Sequence, residues 1–140
     1  MIEGIYTLQQ WWIDGKAHVP PHVDGRFVLR EGCVLAFLHN RTDAVPRYSG
    51  TLAGRYELNA DRFSYGYDDA LMVYQSAEGP AVGEQVPWSG MREFVVTSEG
   101  GTVCIRSQAG TEEFRFSTEG FIYSEQGQPL RQWRRVEAGV

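Results

Sequence analysis

Helical periodicity is missing from this chain. No segment repeats apolar residues at the three-and-four spacing of an amphipathic helix, so a helical bundle is excluded. Lysine is nearly absent: Lys16 is the only one, and arginine supplies the rest of the 13 basic residues. That bias is of the kind that GC-rich bacterial genomes produce. Basic surplus is lacking too. The net charge is -5, and the one dense basic stretch is Arg131, Arg134 and Arg135, so the basic face that a nucleic-acid binder needs is not there. The two cysteines, Cys33 and Cys104, are too few for a disulfide scaffold at this length. They lie in apolar runs and read as inert core thiols. No apolar run approaches the roughly 18 residues of a membrane helix. Met1-Ile2-Glu3-Gly4 does not start a basic region followed by an apolar one, the pattern of a signal peptide. The expected location is cytoplasmic, with no membrane partner. Histidine is equally sparse. His18 and His22 flank Val19-Pro20-Pro21, where prolines forbid the helix that would align them, and no cysteine or carboxylate cluster completes a zinc set. No metal and no other cofactor is expected.

What is abundant is aromatic. The 140 residues include 7 Tyr, 7 Phe and 4 Trp, a composition that favours strands and lines cavities. One domain, 1–140, accommodates this length. Short runs rich in β-branched and aromatic residues recur between Gly, Asn, Asp and Pro. They predict strands over 4–13, 26–30, 34–39, 49–58, 63–67, 71–76, 90–98, 102–107, 113–117, 120–124 and 129–136. Asp14-Gly15, Glu99-Gly100-Gly101, Ala109-Gly110, Glu119-Gly120 and Gln126-Gly127 supply turn residues that tolerate positive φ. Residues 16–24, with Pro20-Pro21, cannot form a central strand, and 77–88, with two prolines and two glycines, reads as a long loop.

Alternation assigns faces. Tyr56 and Leu58 oppose Arg55 and Glu57; Phe63, Tyr65 and Tyr67 oppose Arg62 and Ser64; Phe114 and Phe116 oppose Glu113 and Arg115. One apolar face per strand with no helix to cover it leaves a sandwich or a closed barrel. Closure removes the exposed edges, so the expected fold is all-β, an antiparallel up-and-down barrel of about 8–10 strands. Gly50 and Gly54 remove volume beside Tyr56, which predicts an interior cavity of about 300 Å3 or more, the lower range of ligand pockets.

Several segments resemble a known family. Gly4-Ile5-Tyr6-Thr7-Leu8 followed by Asp14-Gly15-Lys16 is similar to the opening strand and turn of bacterial lipocalin-like domains, with Tyr6 where those have Trp. The stretch from Ser49-Gly50 through Gly54-Arg55-Tyr56 resembles their central Gly-x-Tyr strand. Val86-Pro87-Trp88-Ser89-Gly90 with Arg92 resembles their Pro/Trp/Gly segment, and Gln132-Trp133-Arg134 their closing Trp-x-Arg strand. The resemblance implies a calycin-type barrel open at one end, and it implies no particular reaction. If the barrel closes, its first and last strands are neighbours. An arginine of the last strand, Arg135 or Arg131, can then stack on Tyr6 and plug the closed end.

The candidate ligand-binding residues are Trp12, His39, Tyr56, Tyr65, Tyr67, Trp88, Arg92 and Tyr123. The aromatics would stack on a planar molecule and offer hydroxyls to fix it. Trp88 and Arg92 would sit near the entrance. Arg92 shares its period with Phe94 and Val96, and an inward arginine needs an acidic partner or an anionic ligand. His39, at a strand end beside Asn40 and Arg41, has the chemistry of a general base. Asp68-Asp69 reads as a solvated turn. Two functions of different class fit. One is a binding protein that holds a small apolar or aromatic molecule inside the barrel. The other is an enzyme, of isomerase or cyclase type, that works on such a molecule in the same pocket. A third reading is an oligomer with a filled core and no ligand; a homodimer is compatible with any of them.

Overall fold

A computed structural model describes residues 2–42, 47–75, 79, 81–85 and 90–136. The strands are β1 (Gly4–Ile13), β2 (Lys16–His18), β3 (Val23–Arg30), β4 (Cys33–Asn40), β5 (Arg47–Leu58) and β6 (Arg62–Gln75). They continue with β7 (Val82–Gln85), β8 (Arg92–Glu99), β9 (Thr102–Ser107), β10 (Glu112–Phe116), β11 (Gly120–Glu125) and β12 (Gln128–Arg135). Among the described residues there is no helix. Ten strands close into an antiparallel up-and-down barrel in the order β1-β3-β4-β5-β6-β8-β9-β10-β11-β12, and β12 pairs back to β1. β2 adds to β1 outside this ring, and β7 adds to β6. The architecture is that of a lipocalin-like barrel.

Three expectations about elements change. The predicted strands 63–67 and 71–76 are one strand, β6. Asp68 does not turn the chain; the ladder shifts by one residue there, opposite Ala53 and Gly54. A bulge absorbs one extra residue without breaking the strand, and Asp68 stays outside, where it accepts a hydrogen bond from Arg55 at 2.5 Å. Within 16–24, β2 forms on the free edge of β1 and stops before the prolines. Within 77–88, Val82–Gln85 pairs with the free edge of β6.

Turn chemistry follows the residues. Asp14 and Gly15 both take positive φ, 51° and 76°, the requirement of a tight two-residue hairpin. Gly120 has a different reason. Its φ is ordinary, but a Cβ there would overlap the Trp133 carbonyl oxygen, so only glycine lets β11 lie against β12 at this point.

The core is a column of rings. Phe63, Tyr65, Phe94, Phe114, Phe121 and Trp133 are buried and in mutual contact. Tyr65 stacks on Phe94 at 5.5 Å between centroids, and Phe121 on Trp133 at 5.8 Å. Such pairs add roughly 0.5–1.5 kcal/mol beyond their area. Tyr56 and Phe116 point inward as the alternation predicts, whereas Leu58 lies at the end of its strand and is exposed. The cysteines depart from expectation: Cys33 is exposed and Cys104 half-buried. Cys33 alternates with inward Val34, so strand parity places it outside.

One end of the barrel is sealed. Tyr6 is completely buried, and its partner across the β1–β12 ladder is Arg135, whose guanidinium sits 4.9 Å from the Tyr6 ring centroid. Arg135 Nη1 donates to the Glu3 carbonyl at 2.6 Å, and the Tyr6 hydroxyl donates to the Ile2 carbonyl at 2.6 Å. The Tyr56 hydroxyl donates to the Glu3 carboxylate at 2.6 Å from the far wall. Of the two plug candidates, Arg135 fills the role. A Cβ on Gly4 would collide with its guanidinium, so Gly4 leaves the space that the plug occupies.

Candidate functional site

Toward the opposite end, the barrel contains a cavity of about 210 Å3. Its wall is Phe27, Ala36, Leu38, Leu52, Phe114 and Trp133, drawn from five strands by the period-two alternation. Its rim is polar: Tyr65, Tyr67, Arg92, Tyr123 and Arg131. A separate void of about 10 Å3 lies deeper, between Leu29, Val34, Phe63 and Phe116, and is lined by apolar atoms alone. Below it the rings fill the barrel.

The cavity is smaller than the glycine argument predicts. The space beside Gly50 is taken by the Met72 thioether, 2.6 Å from where a Cβ would stand, and the space beside Gly54 by the Gly66 backbone at the bulge. The glycines therefore relieve crowding and add no volume. A larger depression, about 740 Å3, runs over the outer surface of β10–β12 past Arg115, Gln132 and Arg134. The rings of Phe121 and Trp133 beneath it face the other way, into the barrel. It lies outside the barrel among exposed side chains such as Arg115 and Arg134, whereas the interior cavity is walled by core side chains and is the better receptacle for an apolar molecule.

Four of the eight residues singled out from sequence meet at this cavity: Tyr65, Tyr67, Arg92 and Tyr123. Tyr56 faces the same interior but belongs to the sealed end, through its bond to Glu3. Trp12 and His39 lie on the outer surface. A bulge between Leu8 and Gln10 switches the parity of β1, so Trp11 is buried at 2% exposure and Trp12 turns away. His39 follows inward-facing Leu38 and so points out, where its Nδ1 lies 3.2 Å from the Ser49 hydroxyl. Trp88 lies outside the described residues.

The rim is a network. Arg92 stands across the ladder from Tyr65 and pairs with Glu112 at 3.7 Å. The Tyr123 hydroxyl donates to Glu112 at 3.2 Å. Arg131 lies between two rings, 5.5 Å from Trp11 and 5.2 Å from Tyr123. Burial pushes the Tyr65 hydroxyl up to about 12, with Glu112 adding to the effect and Arg92 and Arg131 opposing it. Burial likewise raises Tyr67, with neighbouring Tyr65 adding, and raises Tyr123, with Glu112 and Glu125 adding. All three remain neutral hydrogen-bonding groups at physiological pH. No group of three or more His, Cys, Asp or Glu among the described residues could hold a metal ion.

The chain matches no family model, and no curated protein or solved structure matches it significantly. Fold and geometry are therefore what bears on function.

Arg131, Glu112 and Asn40 are absent from the sequence-derived site, although each carried a signal. Glu112 shares its face with Phe114 and Phe116, Asn40 with Ala36 and Leu38, and Arg131 with Trp133. A polar residue in phase with a buried stripe is the mark of an interior polar group.

Proposed function

We propose that this barrel is a small-molecule binding protein of the lipocalin-like kind, whose ligand is largely apolar and seats in the interior cavity. The observation that carries the reading is the cavity itself: a half-open, mostly aromatic and aliphatic space inside the barrel under a rim of hydroxyls and guanidinium groups. Ligand pockets combine an apolar wall with a few convergent polar groups in this way. At about 210 Å3 the space suits a single ring with a short substituent better than a fatty acid or a tetrapyrrole. Rings on the wall can stack on a planar guest, and offset or edge-on contacts add roughly 0.5–1.5 kcal/mol each. The raised tyrosines support binding rather than proton abstraction, because a neutral phenol donates a hydrogen bond and is a poor base.

The test is fluorescence titration with a neutral, environment-sensitive single-ring dye, 4-(dimethylamino)benzonitrile. Binding should blue-shift its emission, and small aromatic competitors should reverse the shift. Ala36→Phe, which places a ring in the cavity, should abolish the response while the protein stays folded. Dye binding that survives this substitution, or no binding to the parent protein, would refute an interior site.

A further inference from the structure

The rim of the cavity is unevenly supplied with hydrogen-bonding partners. Of its two arginines, Arg92 has a carboxylate, Glu112, at 3.7 Å. Arg131 is half-buried against Trp11 and Tyr123, and among the described residues no carboxylate lies within 4 Å of it. A partly desolvated guanidinium without an anion is costly. A second observation comes from the adjoining wall. Asn40 is 4% exposed and lies one inward step above Leu38 of the cavity wall, about 7 Å along the strand. Its Oδ1 accepts from the Thr42 amide at 3.0 Å and from the Thr42 hydroxyl at 2.6 Å. Its Nδ2 is buried with no partner, and so is the His18 Nε2.

Of these groups Arg131 lines the cavity, and the ladders carry His18 and Asn40 to the same end of the barrel from either side. Arg131 pairs with Trp11 across β12–β1, and Trp11 pairs with His18 across β1–β2. Asn40 pairs with Val23, and the Arg41 amide donates to the His22 carbonyl at 2.8 Å, which holds the 18–23 turn beside Asn40. Cross-strand partners share a face, so His18 points inward with buried Trp11. This end thus presents a guanidinium and an amide N–H, together with a ring nitrogen, and among the described residues no acceptor answers them.

Resting on the binding reading above, we infer that the set Arg131, Asn40 and His18 is a head-group site for a carboxylate, and that the ligand is a small aromatic or apolar monocarboxylic acid. Its ring lies in the cavity and its carboxylate rises to Arg131 at the rim. Charge supports a monoanion. Arg92 and Arg131 line the cavity and Glu112 pairs with Arg92, which leaves the charge of Arg131 for the guest to match; Glu125, which also acts on Tyr123, is exposed to solvent at the end of β11. A phosphate ester would bring a second negative charge close to Glu112. Of the two arginines it is Arg131, and not the ion-paired Arg92, that reads the anion.

Isothermal titration with benzoate, phenylacetate and trans-cinnamate, each against its own primary amide, tests this. At least one acid should bind about tenfold or more tightly than its amide, a difference of about 1.4 kcal/mol. Higher salt should narrow the gap. Arg131→Met should bring acid and amide to equal affinity, whereas Arg92→Met should leave the preference for the acid in place. Asn40→Leu removes the orphaned amide and should also reduce the preference; thermal melting establishes that each variant folds. Acids and amides binding equally to the parent protein would overturn the head-group assignment and leave the cavity reading standing. If neither series binds and the neutral dye also fails, both fall. A preference lost on Arg92→Met and kept on Arg131→Met would move the site to the other arginine and refute the proposal.

Discussion

Removing the seal at the closed end tests how sequence and packing are coupled there. Arg135→Ala deletes a cation–π contact with Tyr6 at 4.9 Å and a hydrogen bond to the Glu3 carbonyl at 2.6 Å. The first is worth roughly 0.5–2 kcal/mol. A charged hydrogen bond adds roughly 1.5–3 kcal/mol, less for a half-exposed donor such as this one. A net loss of about 2 kcal/mol is expected. With a urea m-value near 2 kcal/mol/M, the unfolding midpoint should drop by about 1 M. Gly4→Ala should act through the same contact, since its methyl group would displace the guanidinium. Its cost is offset by about 0.4–1 kcal/mol because alanine restricts the unfolded chain. The two substitutions should therefore not add: once Arg135 is gone, the methyl group has nothing to strike. The double variant should be no less stable than Arg135→Ala alone, a coupling of about 1–2 kcal/mol in a double-mutant cycle. Additive losses, or an Arg135→Ala midpoint equal to the parent's within error, would show that the plug does not bear on stability.

Tyr56→Phe should cost about 1 kcal/mol by removing the bond to Glu3, read from the same urea curves. Gly120→Ala should be far more damaging, since the new Cβ meets the Trp133 backbone; little soluble folded protein is expected, and a normal melting curve would contradict the close approach. Alkali should unfold the protein cooperatively. Tyr6, Tyr56 and Tyr65 are raised by burial from 10 to about 12, so their contribution is complete below pH 10 and is lost as pH rises through 10 to 12. Ultraviolet titration should show these phenols ionising together with loss of structure; independent ionisation in a folded barrel would refute their burial.

Much of this was legible in the residues. Period-two alternation placed Phe63, Tyr65, Tyr67, Phe94, Phe114 and Phe116 inside, and the requirement that a barrel close placed an arginine of the last strand over Tyr6. Two of the failures share one physical origin: a bulge changes side-chain parity, and nothing local in the sequence announces it. The bulge in β1 exchanged Trp11 for Trp12 as the inward ring, and the bulge at Asp68 joined two expected strands into one. Polar members of inward stripes, Glu112 and Asn40, were readable but look like surface residues when taken singly. Arg92 shares its parity with inward Phe94 and lines the cavity from the rim, with half of its side chain exposed. Its partner Glu112 lies twenty residues later and meets it past the end of β9, the strand between theirs.

Two of the long strands change partners along their length. β1 pairs with β3 only from Gly4 to Thr7 and with β2 from Trp11 onward. β6 pairs with β8 only from Arg62 to Tyr65 and with β7 from Leu71 to Tyr74. Both departures occur at the cavity end and on opposite sides of the ring. Above these points the wall is two jaws, one running β3-β4-β5-β6-β7 and the other β8-β9-β10-β11-β12-β1-β2, each held together by its own ladder and joined to the other below. Among the described residues, no ladder hydrogen bond joins the two jaws above these points. The proposed ligand would thus have a way in that leaves the ring around Tyr6 at the far end shut.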